Sequence, residues 1–155
     1  MRKAVTLIEL IFVLIIIGIL VGIGFYAFKP KYLDNDANFI YAEILQAKYQ
    51  GVNYDKRFAV NGIEADIGCL ELSEASILER ASQAHYTFKS QITVNDPSNS
   101  ITLCFDSYGR PHLNDNNTSF SSILNNKKTL ITLQYNQKEA NITIFPKTGY
   151  VVIEK

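Results

Sequence analysis

An uncharged, strongly apolar stretch near the N-terminus places the tightest limit on what this chain can fold into. Residues 10–28 include no charged residue and no Asn, Gln, Ser, Thr or Pro. A helix of this length would be about 28 Å long, close to the thickness of the hydrocarbon core of a bilayer. The whole chain has 155 residues, and its average of 47% hydrophobic and 19% charged residues conceals this segregation. We therefore expect a transmembrane or assembly helix at residues 5–29 and a globular domain at residues 30–155.

The first ten residues allow three interpretations. A cleaved secretory signal has an apolar core of about 7–15 residues, which is shorter than the stretch found in this chain. A plain membrane anchor fits the length but does not explain Glu9 at the start of the span, since an ionisable residue in a membrane costs about 2.5–3.5 kcal/mol at mid-depth and less near the interface. A cut between Ala4 and Val5 explains Glu9. The new amine would then lie in the same helical turn, and Glu9 could pair with it or with the amine of a neighbouring chain.

The N-terminal sequence resembles the class III signal of type IV pilins and type II secretion pseudopilins. Two basic residues, a small residue, the sequence VTLIEL at residues 5–10 and an unbroken apolar helix carry the resemblance. It implies that prepilin peptidase cuts after Ala4, removes a leader of residues 1–4 and methylates Val5. It also implies that Glu9 is the assembly carboxylate, which compensates the ammonium group of a neighbouring subunit.

The same resemblance implies a fold, a location and partners. The fold would be α+β and pilin-like: a long N-terminal helix, half membrane-spanning and half amphipathic, packed on a mostly antiparallel β-sheet or β-sandwich domain. The protein would lie in the bacterial inner membrane as a single-pass protein with its C-terminal domain outside the cytoplasm, and would then enter a filament. Its partners would be prepilin peptidase, other pilin or pseudopilin subunits, the inner-membrane assembly platform and membrane lipid.

Two helical segments are predicted in the first 52 residues. In the first, Gly18 and Gly22 form a pair of small residues that lets helices approach closely, and Pro30 ends or kinks it. The second, at residues 34–52, begins at an aspartate cap (Asp34 or Asp36). Its apolar residues recur at intervals of three and four, which predicts one buried face. That face consists of Ala37, Ile40, Ile44, Ala47 and Gly51.

The rest of the chain is predicted to be mostly antiparallel strands. A shorter helix is expected at residues 73–83, begun by Ser73. The predicted strands are 86–94, 101–105, 130–135, 141–145 and 150–153, the last two forming a hairpin, with a turn at 106–109 and a loop at 114–128.

Two strand segments resemble, more weakly, the minor pseudopilins of the H type and related minor pilins. These segments are ITLCFDSYGRP at residues 101–111 and ITIFPKTGYV at residues 142–151. The resemblance implies a minor pseudopilin or minor pilin subunit of a type II secretion or type IV pilus filament. A major subunit, or a pilus-tip adhesin or DNA-uptake receptor, is the alternative.

Cys69 and Cys104 are the two cysteines of the chain. Outside the cytoplasm a disulfide between them is chemically reasonable. Two buried thiols on separate strands are the alternative.

We expect neither catalysis nor a bound cofactor or metal. The two histidines, His85 and His112, have no nucleophile placed beside them by any triad-like motif, and no Gly-rich phosphate loop is present. Residues 114–117 supply oxygen ligands but lack the spacing of an EF-hand. The chain has 15 basic and 15 acidic side chains, so its net charge does not favour nucleic acid as a partner.

Overall fold

A computed structural model of the protein describes residues 7–27, 31–54, 67–113 and 125–154. The chain divides into two compact units, Met1–Lys31 and Tyr32–Lys155. The first unit contains α1 (Leu7–Ala27), and the second, which we call the C-terminal unit, contains all other elements. In chain order these are α2 (Tyr32–Val52), β1 (Cys69–Leu72), α3 (Glu74–Gln83), β2 (Gln91–Val94), β3 (Ile101–Phe105), β4 (Pro111–Leu113), β5 (Thr129–Tyr135), β6 (Lys138–Ile144) and β7 (Val151–Glu154).

The α1 and α2 helices correspond to the two helical segments predicted from the sequence. The α1 helix contains neither Pro nor any basic residue, and Glu9 is the acidic residue of its first turn. Pro30, the predicted kink, lies outside the described residues. When the described residues are searched for a helix both long enough and apolar enough to cross a membrane, none is found.

The α2 helix buries the face that its sequence period predicts. Ala37, Ile40 and Ile44 are fully buried, and Ala47 and Gly51 continue the same face. This face packs against strands of both sheets. Burial of each isoleucine side chain contributes about 1.5–3 kcal/mol relative to exposure, so α2 is the element that joins the two sheets into one core.

The C-terminal unit is α+β with antiparallel sheets, as predicted. One sheet has the strand order β1-β3-β4 and the other the order β2-β5-β6-β7. In the second sheet, Ile131 pairs with Ile142, and Ile142 pairs with Ile153. The apolar residues of the three strands therefore line up on one side of the sheet, towards the core.

Two strands were not predicted, and both are short. The β1 strand has four residues and β4 has three, too few to show an alternation in the sequence. The β4 strand also begins at Pro111, which has no N–H to donate to a ladder. Long-range pairing with β3 creates both strands.

Neither Asp34 nor Asp36 caps α2, contrary to the prediction, because both lie inside the helix. The helix begins at Tyr32, so Asp36 lies in its second turn, and its side chain is fully buried. Its carboxylate accepts hydrogen bonds from the hydroxyl of Tyr86 (2.6 Å), the backbone N–H of Lys89 (3.0 Å) and both the N–H (2.7 Å) and the hydroxyl (2.6 Å) of Ser90. Burial, together with the hydrogen bond and the charge of Asp36, raises the pKa of the Tyr86 hydroxyl.

The Asp36 contacts also shorten the predicted strand at residues 86–94. The backbone N–H groups of Lys89 and Ser90 donate to the Asp36 carboxylate and so cannot donate to a sheet. The regular strand begins only at Gln91. The structure thus replaces the first half of the predicted strand by an extended segment held against α2.

Ser73 is the N-cap of α3, as expected. Its hydroxyl accepts a hydrogen bond from the backbone N–H of Ser76, 3.2 Å away, and its backbone is extended. The cap satisfies one of the free N–H groups in the first turn of the helix.

The C-terminal end of α2 lies against two glycine turns. Lys48 donates from Nζ to the carbonyl oxygens of Gly149 (2.9 Å) and Thr148 (3.3 Å). Gly149 has a φ of +59°, and a Cβ there would collide with the carbonyl oxygen of Gly109. Only glycine fits this turn, because the backbone conformation and the close contact both exclude a side chain.

We expect Asp36→Ala to lower the free energy of unfolding by about 3 kcal/mol or more, because the substitution leaves several buried donors without an acceptor. Urea unfolding of the full chain, followed by the near-UV circular dichroism of its tyrosines, measures this loss. Asn35→Ala, at an exposed position of the same helical turn, is the control and should stay within about 0.5 kcal/mol of the wild type. Equal losses in the two variants would contradict the role assigned to the carboxylate.

Candidate functional site

Two of the predicted site residues, Ala4 and Val5, lie outside the described residues. Glu9 is described, and it is the acidic residue in the first turn of α1. Its neighbours Leu7 and Ile8 are 77% and 76% exposed. A carboxylate at this position lies near the positive end of the helix dipole, where a negative charge is favoured.

The α1 helix presents apolar side chains to its surroundings on every side. All the described side chains from Leu7 to Ile23 are exposed. Gly18 and Gly22 face open space, since a Cβ at either would meet nothing within 4 Å. The described contacts of the chain therefore do not require glycine at these positions, whereas close approach of a second helix would use them.

Cys69 and Cys104 form a disulfide that links β1 to β3. The two residues are direct partners in the strand register. On one side of them, the N–H of Phe105 donates to the carbonyl of Gly68 over 2.9 Å. The disulfide therefore joins β1 to β3 at a residue pair that has no backbone hydrogen bonds of its own and lies between two hydrogen-bonded pairs.

A second buried carboxylate, Asp106, organises the turn between β3 and β4. One of its oxygens accepts the backbone N–H groups of Tyr108 and Arg110, both at 2.9 Å. The other accepts Nε of Arg110 at 2.6 Å and lies 3.1 Å from Nε2 of His112. The Arg110 guanidinium also lies over the ring of Tyr108, 5.0 Å from its centre.

These contacts set the ionisation of Asp106. Burial by itself would raise the pKa of the carboxyl group. The backbone hydrogen bond from Arg110, the side-chain bonds from His112 and Arg110, and the backbone bond from Tyr108 outweigh burial and lower that pKa. The Asp106 carboxylate is therefore held in its charged form by donors from its own turn and from β4, and its oxygens serve the local structure.

The two histidines considered as bases lie in different surroundings. His112 is buried, with 5% of its surface exposed, and contacts Asp106. His85 is exposed just after α3, with a positive φ of 54°. The calcium candidates at residues 114–117 lie outside the described residues. In the part of the chain that the structure describes, no group of three or more His, Cys, Asp or Glu side chains could hold a metal ion.

Neither buried aspartate was predicted from the sequence to organise the fold. Asp36 carried a usable signal, because it lies four residues before Ile40 and eight before Ile44, on the buried face of α2. An acid in an apolar stripe requires buried donors from elsewhere in the chain. The sequence signal at Asp106 was weaker: Asp at the start of a turn commonly accepts hydrogen bonds from nearby backbone N–H groups.

Comparison of this chain with protein-family models, with curated proteins and with solved structures finds no match.

We expect the Asp106 carboxylate to make the fold sensitive to acid. Its pKa is lowered in the folded state, so its stabilising effect is complete above the unfolded-state value of about 3.9. That effect is lost as the pH falls through the lower folded-state pKa. Between pH 5 and pH 2 the free energy of unfolding should therefore fall more steeply for the wild type than for Asp106→Asn, in urea titrations at each pH.

Ser107→Ala is the matched control for this experiment. Ser107 is exposed in the same turn, and its replacement leaves the carboxylate in place, so this variant should follow the acid dependence of the wild type. Parallel curves for Asp106→Asn and the wild type would show that Asp106 contributes nothing to it.

Proposed function

We propose that this protein is a subunit of a type IV pilus or type II secretion filament, most similar to the minor pilins and minor pseudopilins. It is made as a precursor in the bacterial inner membrane. Prepilin peptidase cuts it after Ala4 and methylates Val5, and the α1 helix then enters the filament. Its work is mechanical, through assembly with other subunits on an inner-membrane platform, and includes no catalytic step.

The observation that carries this proposal is a single carboxylate at the start of an otherwise uncharged helix. Glu9 is the one charged residue of α1. In a bundle of apolar helices an isolated carboxylate is costly, and a nearby cation offsets that cost. A cut before Val5 creates a cation in the same turn of each chain. Pairing of Glu9 with the amine of a neighbouring subunit would then set the axial position of one helix against the next.

The exposed surface of α1 supports the same proposal. Its apolar side chains and the open positions at Gly18 and Gly22 suit contacts with lipid before assembly and with other helices afterwards. The membrane stage rests on residues 10–28 of the sequence, a stretch that continues past the described side chains of this helix.

The C-terminal unit supports a position outside the cytoplasm. A disulfide persists in oxidising compartments and is rare in the cytosol, and Cys69 and Cys104 are bridged. The unit also has a hydrophobic core of its own, so it can remain folded while α1 passes from lipid to filament.

The minor-subunit assignment rests on two hairpins. The segments that resemble the H-type minor pseudopilins, residues 101–111 and 142–151, form β3-turn-β4 and β6-turn-β7. Abundance distinguishes this assignment from a major subunit. A minor subunit is a trace component of sheared filaments, whereas a major subunit makes up most of their mass.

Processing is tested at the predicted cleavage site. We expect Ala4→Leu to leave the chain at precursor length, because a bulky side chain replaces the small residue before the cut. Mass spectrometry of the N-terminal peptide, from cells that contain a prepilin peptidase, distinguishes the precursor from mature protein that begins at methylated Val5. Lys3→Gln, which keeps the small residue, is the control and should be processed. Mature-length protein from Ala4→Leu would place the cut elsewhere.

Assembly is tested at Glu9. We expect Glu9→Gln to be processed normally but to be lost from sheared filaments, because the neutral amide no longer compensates the ammonium group. Immunoblots of the filament and membrane fractions measure the two pools. Glu139→Gln removes an exposed carboxylate of β6 and should assemble like the wild type. Incorporation of Glu9→Gln at the wild-type level would remove the assembly role of Glu9.

A further inference from the structure

Each sheet of the C-terminal unit ends in two outer strands, β1 and β4 in one and β2 and β7 in the other. An outer strand can pair with another chain unless its free backbone N–H and C=O groups are covered. In antiparallel pairs, alternate residues direct these groups towards the neighbouring strand and away from it. One backbone hydrogen bond near the end of each strand therefore shows which of its residues face outward.

The outer edge of β2 is closed at both of its ends. The N–H of Asn95 donates to the carbonyl of Leu130, so the even-numbered residues of this segment direct their backbone groups outward. At one end, the N–H of Ser90 donates to the Asp36 carboxylate (2.7 Å). At the other, the N–H of Val94 donates to Oδ1 of Asn99 (2.7 Å). An added strand would have to break one of these bonds.

The first sheet is protected in other ways. The bond from the N–H of Asp106 to the carbonyl of Arg110 makes Pro111 an outward-facing residue of β4. Pro111 has no N–H to offer, and its carbonyl already accepts the N–H of Asn125 at 2.9 Å. On the other outer strand, β1, the charged Glu71 is exposed in the middle of a strand of four residues. Proline and charge are both typical protections of a sheet edge.

The outer edge of β7 has no proline and no hydrogen bond from a described side chain, and the exposed charge of this strand, Glu154, lies at its end. The N–H of Phe145 donates to the carbonyl of Tyr150 over 2.8 Å, so the even-numbered residues of β7 face β6. The backbone groups of Val151 and Ile153 therefore face outward, and the hydrogen bonds of the described residues include none to them. Val151 is only 6% exposed and Ile153 packs against the core, so these two residues present backbone groups rather than side chains at this edge.

We propose that β7 of one molecule pairs antiparallel with β7 of a second copy of this chain. A β7 edge that paired with β2 of the next molecule would extend the sheet without end, but the bonds of Ser90 and Val94 close that edge. Pairing of β7 with β7 uses the same surface twice and closes on itself around a two-fold axis. The result is one continuous sheet across two molecules. This pairing uses only the C-terminal unit and does not rest on the filament proposal.

One register pairs every residue from Tyr150 to Glu154. Val151 faces Ile153 of the second copy, and each such pair can exchange both backbone hydrogen bonds. Val152 lies on the two-fold axis, opposite its own copy. Glu154 lies opposite Tyr150, so that its carboxylate meets a hydroxyl-bearing ring rather than another carboxylate, and like charges do not oppose each other.

The native disulfide shows the geometry that a cross-link at the two-fold axis would have. Cys69 and Cys104 are opposite residues of antiparallel strands at a position without backbone hydrogen bonds between them, and they form a disulfide. In the proposed register, Val152 and its copy occupy the same kind of position, with Cα atoms about 4.5 Å apart. Both native cysteines are bridged and none is free, so a cysteine at position 152 would be the reactive thiol of the chain.

The test is position-specific oxidation of the full chain in detergent micelles. We expect Val152→Cys to form a dimer that reductant separates again. Glu154→Cys is the matched control, on the same face of the strand and two residues away. In the proposed register, position 154 of one molecule is offset by about 13 Å along the strands from position 154 of the other. This distance is beyond the reach of a disulfide, so the control variant should remain monomeric.

Either of two results of this oxidation experiment would overturn the pairing. One is a Val152→Cys chain that stays monomeric under oxidation; the other is equal dimer formation by the two cysteine variants, which reports contact through α1 or collision. Ile153→Pro in the Val152→Cys chain provides a second measurement. The N–H of Ile153 faces outward, so proline removes a donor of the intermolecular ladder but none of the β6 pairing, and the dimer should be lost while thermal unfolding still shows a folded unit. A persisting dimer in this variant would exclude the β7 ladder.

Discussion

The C-terminal unit depends on the burial of one face of α2 against strands of both sheets. The face is apolar except for Asp36, whose carboxylate has no exposure to solvent. A buried carboxylate without donors would cost several kcal/mol. The hydrogen bonds from Tyr86, Lys89 and Ser90 offset this cost only when the segment before β2 lies against the helix. The Asp36 charge, which would otherwise oppose the packing of α2, therefore specifies where the sheet that contains β2 contacts this helix.

Both buried aspartates act on backbone geometry rather than on a ligand. Asp36 holds the chain that leads into β2, and Asp106 holds the turn between β3 and β4. Each accepts main-chain N–H groups that have left the regular ladder. The disulfide between Cys69 and Cys104 constrains the strand next to the Asp106 turn. These contacts hold the shape of the unit, which the proposed role as a filament subunit would require.

The surfaces left open by this unit and by α1 are of different kinds. The α1 helix offers apolar side chains and a single carboxylate, and in the proposed function it contacts lipid and other helices. The C-terminal unit offers one short backbone edge at β7, whereas the opposite edge of the same sheet is closed by Asp36 and Asn99. An open edge beside closed ones limits sheet extension to a single partner, in contrast to the repetitive contacts expected of the helix.

Much of this fold was predictable from local patterns. Residue spacing alone predicted the buried face of α2, the Ser73 cap, the strand at residues 101–105 and the final hairpin, because each depends on neighbours within a few positions of the chain. The strands β1 and β4 were not predictable, since they are three or four residues long and exist only through pairing with β3. For the same reason the sequence left open whether Cys69 and Cys104 meet. Their pairing depends on a strand register, which no local pattern encodes.

The sequence by itself determined that one long stretch is apolar and uncharged, that Glu9 stands at its start and that the residues around Glu9 resemble a prepilin processing signal. Composition and spacing are local properties, and these conclusions need nothing more. Only the tertiary structure decided that Asp36 is a buried acceptor rather than a helix cap, and that Val151 and Ile153 of β7 direct their backbone groups away from β6 with no hydrogen bond to them among the described residues. Burial and strand neighbours arise from residues about fifty positions apart in the chain, such as Asp36 and Ser90, and they exist only once the chain has folded.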